Sequence, residues 1–467
     1  MYFTKYYIEH TDGKNNTILI NTLTGNILNL GKIDNIKPKI KDLESLSDDF
    51  KTELIQNSFL YSDKSEEDVR IKDIRLRSEL YSEECDPTIY VIYITYDCNI
   101  ICNYCCYNYL KNKKEIIENT SIDSIFQSIK ELQKRSGRKR SRICLFGGEP
   151  LMKKNFDDIK NVFSKLKTHI NEEKQSGREC ELMIFTNGVD VPFYKDLLLE
   201  SRDIIKKILI TLIGNKEEND LRRKHFDGKG TFDDVVRGIE CLLSIGIKVW
   251  AVANIDKKNV EKIPYLISLV KEKGWDKHPF FAGYYIGRIK YYSNKENSSI
   301  SEYELLNAAI EYLKDDKIGQ EIFNFGDIRN LKPVLNLINH SISKNFQKFY
   351  ACSSGNLQQY SFGSDNKIYT CSGAMGIDEY SLGEYKPNCV INKEKASFWT
   401  NRDVMSIEKC KDCNVAFLCG GGCYYAAKVI NGSEYEPVCT PIEELVHAYM
   451  NAIEKGIKIK YEDLLRD

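Results

Sequence analysis

The sequence has no long uncharged apolar run and no excess of either charge. No segment approaches the ~20 apolar residues that a membrane-spanning helix needs. The first residues, MYFTKYYIEHTDGK, lack the basic start and apolar core of a signal peptide. Lysine and arginine number 67 against 68 aspartate and glutamate, and the formal net charge of −1 gives no general attraction to nucleic acid. We therefore expect a cytoplasmic protein that binds neither membranes nor nucleic acid.

Cysteine, by contrast, is abundant, with 16 residues in a chain of 467. Because the cytosol is reducing, structural disulfides are not expected there. The cysteines are also unevenly spread: a long central region holds few, and two shorter regions hold most of them. This distribution indicates metal binding rather than a disulfide framework.

Residues 1–85 are predicted to form a small α+β domain. The segment NTILINTLTGNILNL alternates around Leu23, Thr24 and Gly25, as in a β-hairpin with a glycine turn. A helical segment, SDDFKTELIQNSFL, follows, with Ser47 as its expected N-cap. The next stretch, YSDKSEEDVR, is so charged that we interpret it as a linker or an exposed wing.

From residue 86 to about 300, apolar strand-like runs alternate with amphipathic helices. Continuous apolar strands with helical crossovers predict an α/β fold, with a parallel sheet covered on both faces. Six such units predict a partial (β/α)6 barrel that is open on one side, with its chemistry at the carboxyl ends of the strands. Residues 301–349 are expected to form a helical bridge, residues 350–445 metal-stapled loops, and residues 446–467 a C-terminal helix. The six runs are TIYVIYIT (88–95), RICLF (142–146), ELMIFT (181–186), KKILITLI (206–213), KVWAVAN (248–254) and PFFAGYYI (279–286).

Four cysteines lie within nine residues of the stretch YDCNIICNYCCYNYL, just after the first barrel strand. Cys98, Cys102 and Cys105 have the spacing C-x3-C-x2-C, and three thiolates on one short loop can ligate three irons of a [4Fe–4S] cluster. The fourth iron then lacks a protein ligand, and an open metal position is typical of a catalytic site. Zinc binding or a chance grouping is the alternative, although zinc prefers paired C-x2-C units and four closed ligands. Cys106 is expected to point elsewhere in so tight a loop.

These three cysteines, with Tyr104 before the last, resemble the signature of the radical S-adenosylmethionine (SAM) enzymes. The resemblance implies that Cys98, Cys102 and Cys105 are the catalytic cluster ligands and that SAM chelates the open iron. It further implies cleavage of SAM to methionine and a 5′-deoxyadenosyl radical, which removes a hydrogen atom from the substrate. Later segments resemble further motifs of the family. The SAM-binding residues that they imply are Tyr104, Gly147, Gly148, Glu149, Pro150, Thr186, Asn187 and Thr211.

The residues of these motifs agree in part with that chemistry. In LFGGEP, the glycines allow a close approach of the backbone, and Glu149 can accept a hydrogen bond from the SAM ammonium. The fourth segment, ITLIGNKEENDLRR, departs from the Ser-Leu-Asp-Gly and His-Asp of many peptide-modifying members. Ile213 replaces the aspartate and Asn219 the histidine, whereas Asp220 and Arg223 remain. The roles of the two replaced residues are therefore not transferred to this chain.

A second group of cysteines lies towards the C-terminus and by itself is consistent with a zinc knuckle or with iron–sulfur clusters. Behind the first motif, it resembles the SPASM extension, whose two auxiliary clusters make three [4Fe–4S] clusters in all. The hairpin glycine of that extension is Asn366 here, which also tolerates the left-handed conformation. One auxiliary cluster then has an open iron or a further ligand, for which Cys389 is the nearest spare thiol in sequence. The implied ligand sets are Cys410, Cys413, Cys419 and Cys439 for one cluster, and Cys352, Cys371 and Cys423 for the other.

SPASM proteins that resemble this chain mostly modify ribosomally made peptides. Residues 1–85 resemble the small winged-helix domains that bind the leader of such a precursor peptide by adding it as an edge strand, with a purely structural cap as the alternative. Anaerobic sulfatase maturases share the core but commonly have an acidic residue where this chain has Ser372. We therefore expect a crosslink, favouring a thioether from a cysteine sulfur to carbon, over sulfatase maturation, a carbon–carbon link or epimerisation. The family also implies an electron donor such as flavodoxin or ferredoxin.

Overall fold

The computed structural model describes residues 1–32, 42–110, 116–289, 298–339 and 346–462, and its first part contains two small antiparallel sheets. The hairpin predicted around Gly25 is present, and the φ of +83° at that residue favours glycine. A third strand joins the hairpin on its other side. Ser47 caps the following helix by accepting a hydrogen bond from the amide of Phe50. The elements are β1 (Tyr2–Phe3), β2 (Tyr7–Thr11), β3 (Thr17–Asn21), β4 (Ile27–Asn29), α1 (Asp48–Gln56), β5 (Leu60–Tyr61) and α2 (Lys64–Cys85).

The charged stretch that we interpreted as a linker or wing is the start of helix α2, so that interpretation was wrong. Asp63 caps the helix by accepting from the amides of Ser65 and Glu66. Most of its residues are solvent-exposed, but Ile71 packs in a buried cluster with Phe349. The helix therefore depends on its cap and this tertiary contact rather than on an apolar stripe.

The predicted parallel sheet forms the centre of the molecule. Its six parallel strands are adjacent in the order in which they occur in the chain, which confirms the predicted α/β fold. The elements are β6 (Thr88–Thr95), β7 (Ile100–Cys102), α3 (Asn119–Ser136), β8 (Arg140–Gly147), α4 (Phe156–Gln175), β9 (Glu179–Thr186), α5 (Lys195–Glu200), β10 (Ile205–Thr211), α6 (Lys216–Arg222), β11 (Arg223–His225), α7 (Phe232–Ser244), β12 (Val249–Ile255), α8 (Ile263–Lys273) and β13 (Phe281–Arg288).

The two faces of this sheet bury different sets of side chains. All eight residues of β6 are buried, as expected for a strand covered on both faces. On one face, the helices pack in the main core. On the other face, a smaller cluster includes Tyr93, Met183, Leu209 and Trp250, one from each of four strands. This second cluster fills the concave interior of the open barrel.

Beyond the barrel, the chain extends the same sheet. β15 pairs parallel with β6, so that Gln359 lies opposite Ile89, and three short antiparallel strands follow. Asn366 turns the hairpin between β15 and β16 with φ of +62°. The elements are α9 (Glu302–Leu313), α10 (Lys317–Ile322), β14 (Phe323–Asn324), α11 (Leu331–Ile338), β15 (Gln359–Phe362), β16 (Lys367–Tyr369), β17 (Ser381–Glu384), β18 (Val390–Ile391), α12 (Lys393–Thr400), α13 (Glu408–Lys411), α14 (Ala416–Cys419), α15 (Tyr424–Asn431) and α16 (Ile442–Glu454).

Within the described ranges, no helix combines the length and the apolar character needed to cross a bilayer.

Candidate active site

The first cysteine loop leaves the end of β6 and is held by a short ladder. β7 pairs antiparallel with β11, so that Cys102 lies opposite Arg223. The amide of Asn103 donates to the carbonyl of Arg222 at 3.1 Å, and the amide of Cys105 donates to the carbonyl of Cys102 at 3.3 Å. The segment after the fourth barrel strand thus fixes the loop that carries the three predicted ligands.

The two glycines at the end of β8 bring the backbone against this loop. The amide of Gly148 donates to the carbonyl of Thr95 at 2.8 Å, and the amide of Glu149 donates to the carbonyl of Asp97 at 2.8 Å. A Cβ on Gly148 would lie 2.0 Å from the carbonyl oxygen of Asp97, and a Cβ on Gly147 would lie 2.2 Å from that of Thr95. The close approach that requires glycine is therefore one between two segments of this chain.

Glu149 is a buried carboxylate that joins two strand ends. It accepts hydrogen bonds from the amide of Leu151 at 2.8 Å, the hydroxyl of Thr186 at 2.7 Å and the amide of Asn187 at 2.5 Å. Burial raises the pKa of Glu149 to about 7, although these donors act to lower it. Since two carboxylate oxygens offer about four acceptor positions, room remains for one further donor.

Asn187 and Arg223 connect this carboxylate to the cysteine loop. The side-chain amide of Asn187 lies 3.7 Å from Sγ of Cys98 and donates to Asn99 Oδ1 at 2.7 Å. Arg223 is 2% exposed and donates to the Tyr104 hydroxyl at 3.2 Å and to the carbonyl of Asn187 at 3.1 Å. Its Nε–H has no partner within the described part of the chain, so this buried cation has a donor left for an anionic group.

The remaining predicted SAM-binding residues flank this network. Pro150 follows Glu149 directly and is buried, and Thr211 is the last residue of β10. Burial acts to lower the pKa of Arg223, whereas the neighbouring Tyr104, Cys102 and Cys98 act to raise it. The net effect is a raised pKa. With Glu149 as an acceptor and Arg223 as a donor, the site suits a ligand that bears both an ammonium and a carboxylate. Asn219, at the position of the missing histidine, donates instead to Thr231 at 3.2 Å and Asp220 at 3.2 Å.

The second group of cysteines forms two separate sets in space. Burial raises the pKa of Cys410 to about 12, with smaller contributions from the neighbouring Cys419, Cys413 and Cys439. Within the described ranges, no three His, Cys, Asp or Glu side chains converge as the ligands of one metal ion do. A four-iron cluster has less need of such convergence, because each thiolate binds a different iron.

The other set consists of Cys352, Cys371 and Cys423. Burial, followed by Cys423 and Cys352, raises the pKa of Cys371 to about 12. Cys389 does not join this set: it is buried beside Ser128 of helix α3, and burial raises the pKa of its thiol. The structure therefore does not support Cys389 as the fourth ligand, because the connection between β17 and β18 places this residue beside helix α3.

Contacts that the sequence did not indicate connect the first loop to this set. The hydroxyls of Tyr93 and Tyr107 lie 3.0 Å apart, and Tyr109 donates to the carbonyl of Met375 at 2.7 Å. Burial, together with the nearby Cys106 and Cys371, raises the pKa of Tyr93, although its hydrogen bonds to Ser372 and Tyr107 act to lower it. No sequence motif marks the contact of Tyr109 with Met375, because the two residues are 266 positions apart in the chain.

A cavity of about 620 Å³ adjoins the three-cysteine set. Its lining includes Cys352, Cys371 and Cys423, the barrel residue Ile89 and residues of helix α2. This volume lies within the range of about 300–1,000 Å³ that is usual for ligand pockets, and the cavity reaches from the barrel to the N-terminal part of the chain.

Comparison with known proteins finds a family match for the part of the chain that carries the first cysteine loop. Residues 92–268, which include the cysteine loop and five barrel strands, match the Radical SAM superfamily. The chain contains a radical SAM domain. Members of this superfamily use a [4Fe–4S] cluster and SAM, which agrees with the expectation for Cys98, Cys102 and Cys105.

The similarity extends beyond residues 92–268. The chain is 24% identical over 344 residues to the cysteine-type anaerobic sulfatase-maturating enzyme of Clostridium novyi (strain NT), covering 70% of this chain and 85% of that protein. It resembles the structure of native anSMEcpe with bound AdoMet and Kp18Cys peptide, with a TM-score of 0.59, 18% identity, and 79% and 98% of the two chains covered.

A further similar structure is Streptococcus suis SuiB bound to precursor peptide SuiA, with a TM-score of 0.54 and 18% identity. This match covers 94% of the present chain and 99% of SuiB. At such identities, the two structural matches establish the shared fold alone.

Proposed function

We propose that this protein is a radical SAM maturase that crosslinks a ribosomally made precursor peptide. The observation that carries the proposal is the buried network of Glu149, Asn187 and Arg223, which reaches the loop of Cys98 and Cys102 from the carboxyl ends of the strands. Cys98, Cys102 and Cys105 hold the catalytic cluster. Tyr104, Gly147, Gly148, Pro150, Thr186 and Thr211 shape the SAM site around this network.

The residues of the network have distinct tasks. When bound, the cluster and SAM supply a 5′-deoxyadenosyl radical that takes a hydrogen atom from the substrate. Glu149 accepts from the SAM ammonium with the acceptor position that its three protein donors leave free, and Arg223 directs its unpaired Nε–H to the carboxylate. The aromatic side chains of the barrel interior exclude water from the reacting groups.

Two auxiliary [4Fe–4S] clusters complete the proposed site. Cys410, Cys413, Cys419 and Cys439 close one of them. Cys352, Cys371 and Cys423 leave one iron of the other without a cysteine from this chain. We assign residues 350–445 to a SPASM domain on this basis. Because Cys352, Cys371 and Cys423 line the cavity, a cluster held there with an open iron would be able to bind a substrate thiolate, and this favours a thioether as the bond formed.

The N-terminal residues 1–85 are proposed to recognise the leader of the peptide. The fold match to SuiB covers 94% of the chain, and that to anSMEcpe covers 79%, so much of the N-terminal part has a counterpart in SuiB. Among the described residues, β4 is an edge strand that pairs only with β3, so it offers backbone groups to an added strand. An electron donor such as flavodoxin or ferredoxin completes the proposed set of partners.

Maturation of a sulfatase is the second candidate function. It is favoured by the relative from Clostridium novyi, which the match covers over 85% of its length. The residue after Cys371, however, is Ser372, whose hydroxyl accepts from Gln359 at 3.3 Å. A serine cannot act as the carboxylate base that commonly occupies this position in sulfatase maturases.

Anaerobic reconstitution with iron, sulfide, SAM and a reductant tests both candidates. We expect release of 5′-deoxyadenosine that Cys98→Ala abolishes, because that variant removes a cluster ligand. A short cysteine-containing peptide encoded beside this gene should lose two mass units for each crosslink. Conversion of a sulfatase peptide cysteine to formylglycine, with the neighbouring peptide unchanged, would reject crosslinking in favour of the second candidate.

A further inference from the structure

Arg402 is a fully buried cation at the junction of the two auxiliary cysteine sets. Its guanidinium is 0% exposed and donates to the carbonyls of Gly422 at 3.0 Å, Gly421 and Glu434. It also stacks on the ring of Tyr424 at 4.4 Å, and the hydroxyl of Tyr424 donates back to the Arg402 carbonyl at 2.6 Å.

These contacts fix the segments that carry the proposed ligands. Gly421 and Gly422 form the turn between Cys419 of one set and Cys423 of the other, and both have positive φ. Arg402 thus binds the carbonyl groups of the short segment that links the two sets. Glu434 stands five residues before Cys439, so a third ligand segment is attached to the same guanidinium.

The charge of Arg402 lacks a carboxylate partner in the part of the chain that the structure describes. Its hydrogen bonds there all go to neutral carbonyls. The carboxylates nearest in sequence are bound elsewhere: Asp403 pairs with Arg75 at 2.8 Å, and Glu434 lies 3.7 Å from Lys428. A buried cation without a counter-charge is costly, so a compensating anion is expected close by.

The thiolates of the two sets are the anions available at this position. The Gly421–Gly422 turn, whose carbonyls bind the guanidinium, joins Cys419 of one set to Cys423 of the other, and Tyr424, on which the guanidinium stacks, directly follows Cys423. We propose that Arg402 is a positioning residue shared by both auxiliary sites, whose positive charge balances the anionic clusters bound there. This inference rests on the auxiliary clusters of the proposed function.

A redox titration of the reconstituted full-length protein, monitored by electron paramagnetic resonance, tests whether the charge of Arg402 acts on the auxiliary clusters. Arg402→Gln should shift the midpoint potentials of the auxiliary clusters to more negative values, because a nearby positive charge favours the reduced cluster. Arg402→Lys should leave them near those of the wild type. Arg237, which is 62% exposed and pairs with Asp234, provides the control Arg237→Gln, for which no shift is expected. Unshifted auxiliary potentials in Arg402→Gln would overturn the inference.

Iron analysis separates this inference from the proposed function. A wild-type protein that binds about four irons rather than about twelve lacks the auxiliary clusters, and the proposed function then fails first. If Arg402→Gln does not accumulate as folded protein, the charge-conserving variant Arg402→Lys tests the inference instead. It should retain about twelve irons with unshifted potentials. A lysine variant that loses the auxiliary irons would assign Arg402 a hydrogen-bonding role only and would overturn the charge balance.

Discussion

Cys102 and Arg223 lie directly opposite each other in the β7–β11 ladder, although 120 residues separate them in the chain. The pairing makes the segment after the fourth barrel strand part of the first cysteine site. The Arg223 side chain continues from this ladder to Tyr104 and Asn187. Backbone pairing and a buried cation thus fix the same loop. We therefore expect changes at Arg223 to affect both the stability of this loop and the binding of its ligand.

Replacing Arg223 with methionine should destabilise the metal-free protein. The change leaves the Tyr104 hydroxyl and the Asn187 carbonyl buried without their partner, which costs about 1–3 kcal/mol for each group. Chemical denaturation measures this loss. The exposed Arg237→Met is the matched control and should stay within about 0.5 kcal/mol of the wild type. If both variants unfold at the same denaturant concentration, the Arg223 network contributes little to stability.

Glu149 should make the stability of the metal-free protein depend on pH. Its pKa is raised by burial from 4.5 to about 7 in the folded chain, so the folded state binds the proton more tightly than the unfolded state. This stabilising contribution is complete below the unfolded pKa and is lost as the pH rises through about 7. Melting temperatures of the wild type and Glu149→Gln between about pH 5 and 8 measure the effect. The difference between them should change with pH, and a constant difference would contradict the raised pKa.

The strands were predictable because their determinants are local, and the candidate ligands of the first site were marked by an equally local spacing. Six continuous apolar runs specify buried strands, and the three cysteines share one short loop. Helix α2 was missed because its charged sequence has no apolar stripe, and it depends on Asp63 and on the contact of Ile71. The glycine pair was assigned to a SAM-binding motif, but Gly148 approaches the carbonyl of Asp97, a contact between distant segments that no local pattern reveals.

The auxiliary region shows the same limit. The C-x2-C-x5-C-x3-C spacing in 410–423 marks candidate ligands, but Arg402 is bound by backbone carbonyls, which any residue type provides. Likewise, sequence proximity suggested Cys389 as a fourth ligand, whereas the β17–β18 ribbon carries it to helix α3. The sequence indicates the residue types that suit the chemistry, and tertiary packing decides which of them meet.

Gly148→Ala should prevent correct assembly of the first site. The added Cβ would lie 2.0 Å from the Asp97 carbonyl oxygen, so the β8 end must move away from the cysteine loop. We expect loss of 5′-deoxyadenosine formation and a lower melting temperature. Gly13→Ala is the control, because its Cβ meets only the flexible carboxylate of Glu454, at 3.3 Å. Wild-type SAM cleavage by Gly148→Ala would show that this contact is dispensable.

Cys389→Ala and Cys371→Ala should differ in iron content. Cys389 lies beside helix α3, so its removal should leave about twelve irons for each chain. Cys371 belongs to the three-cysteine set, and its removal should leave about eight. Iron and sulfide analysis after reconstitution distinguishes the two variants. Loss of about four irons from Cys389→Ala would restore that residue as a ligand.

The N-terminal part should be required for the cluster site of Cys410. Leu23 is 0% exposed and shares a buried cluster with Phe417 and Cys410, and the side chain of Asn414 donates to the carbonyl of Tyr7 at 3.0 Å.

Leu23→Ala should therefore cost about 2–5 kcal/mol and lower the iron content, because metal binding and folding are coupled in this region. Val69→Ala, at a residue 66% exposed, is the control and should change neither quantity. Deletion of residues 1–85 should have the larger effect, since it exposes the whole cluster to water. A truncated chain that still binds about twelve irons would show that residues 1–85 are not needed for the Cys410 site.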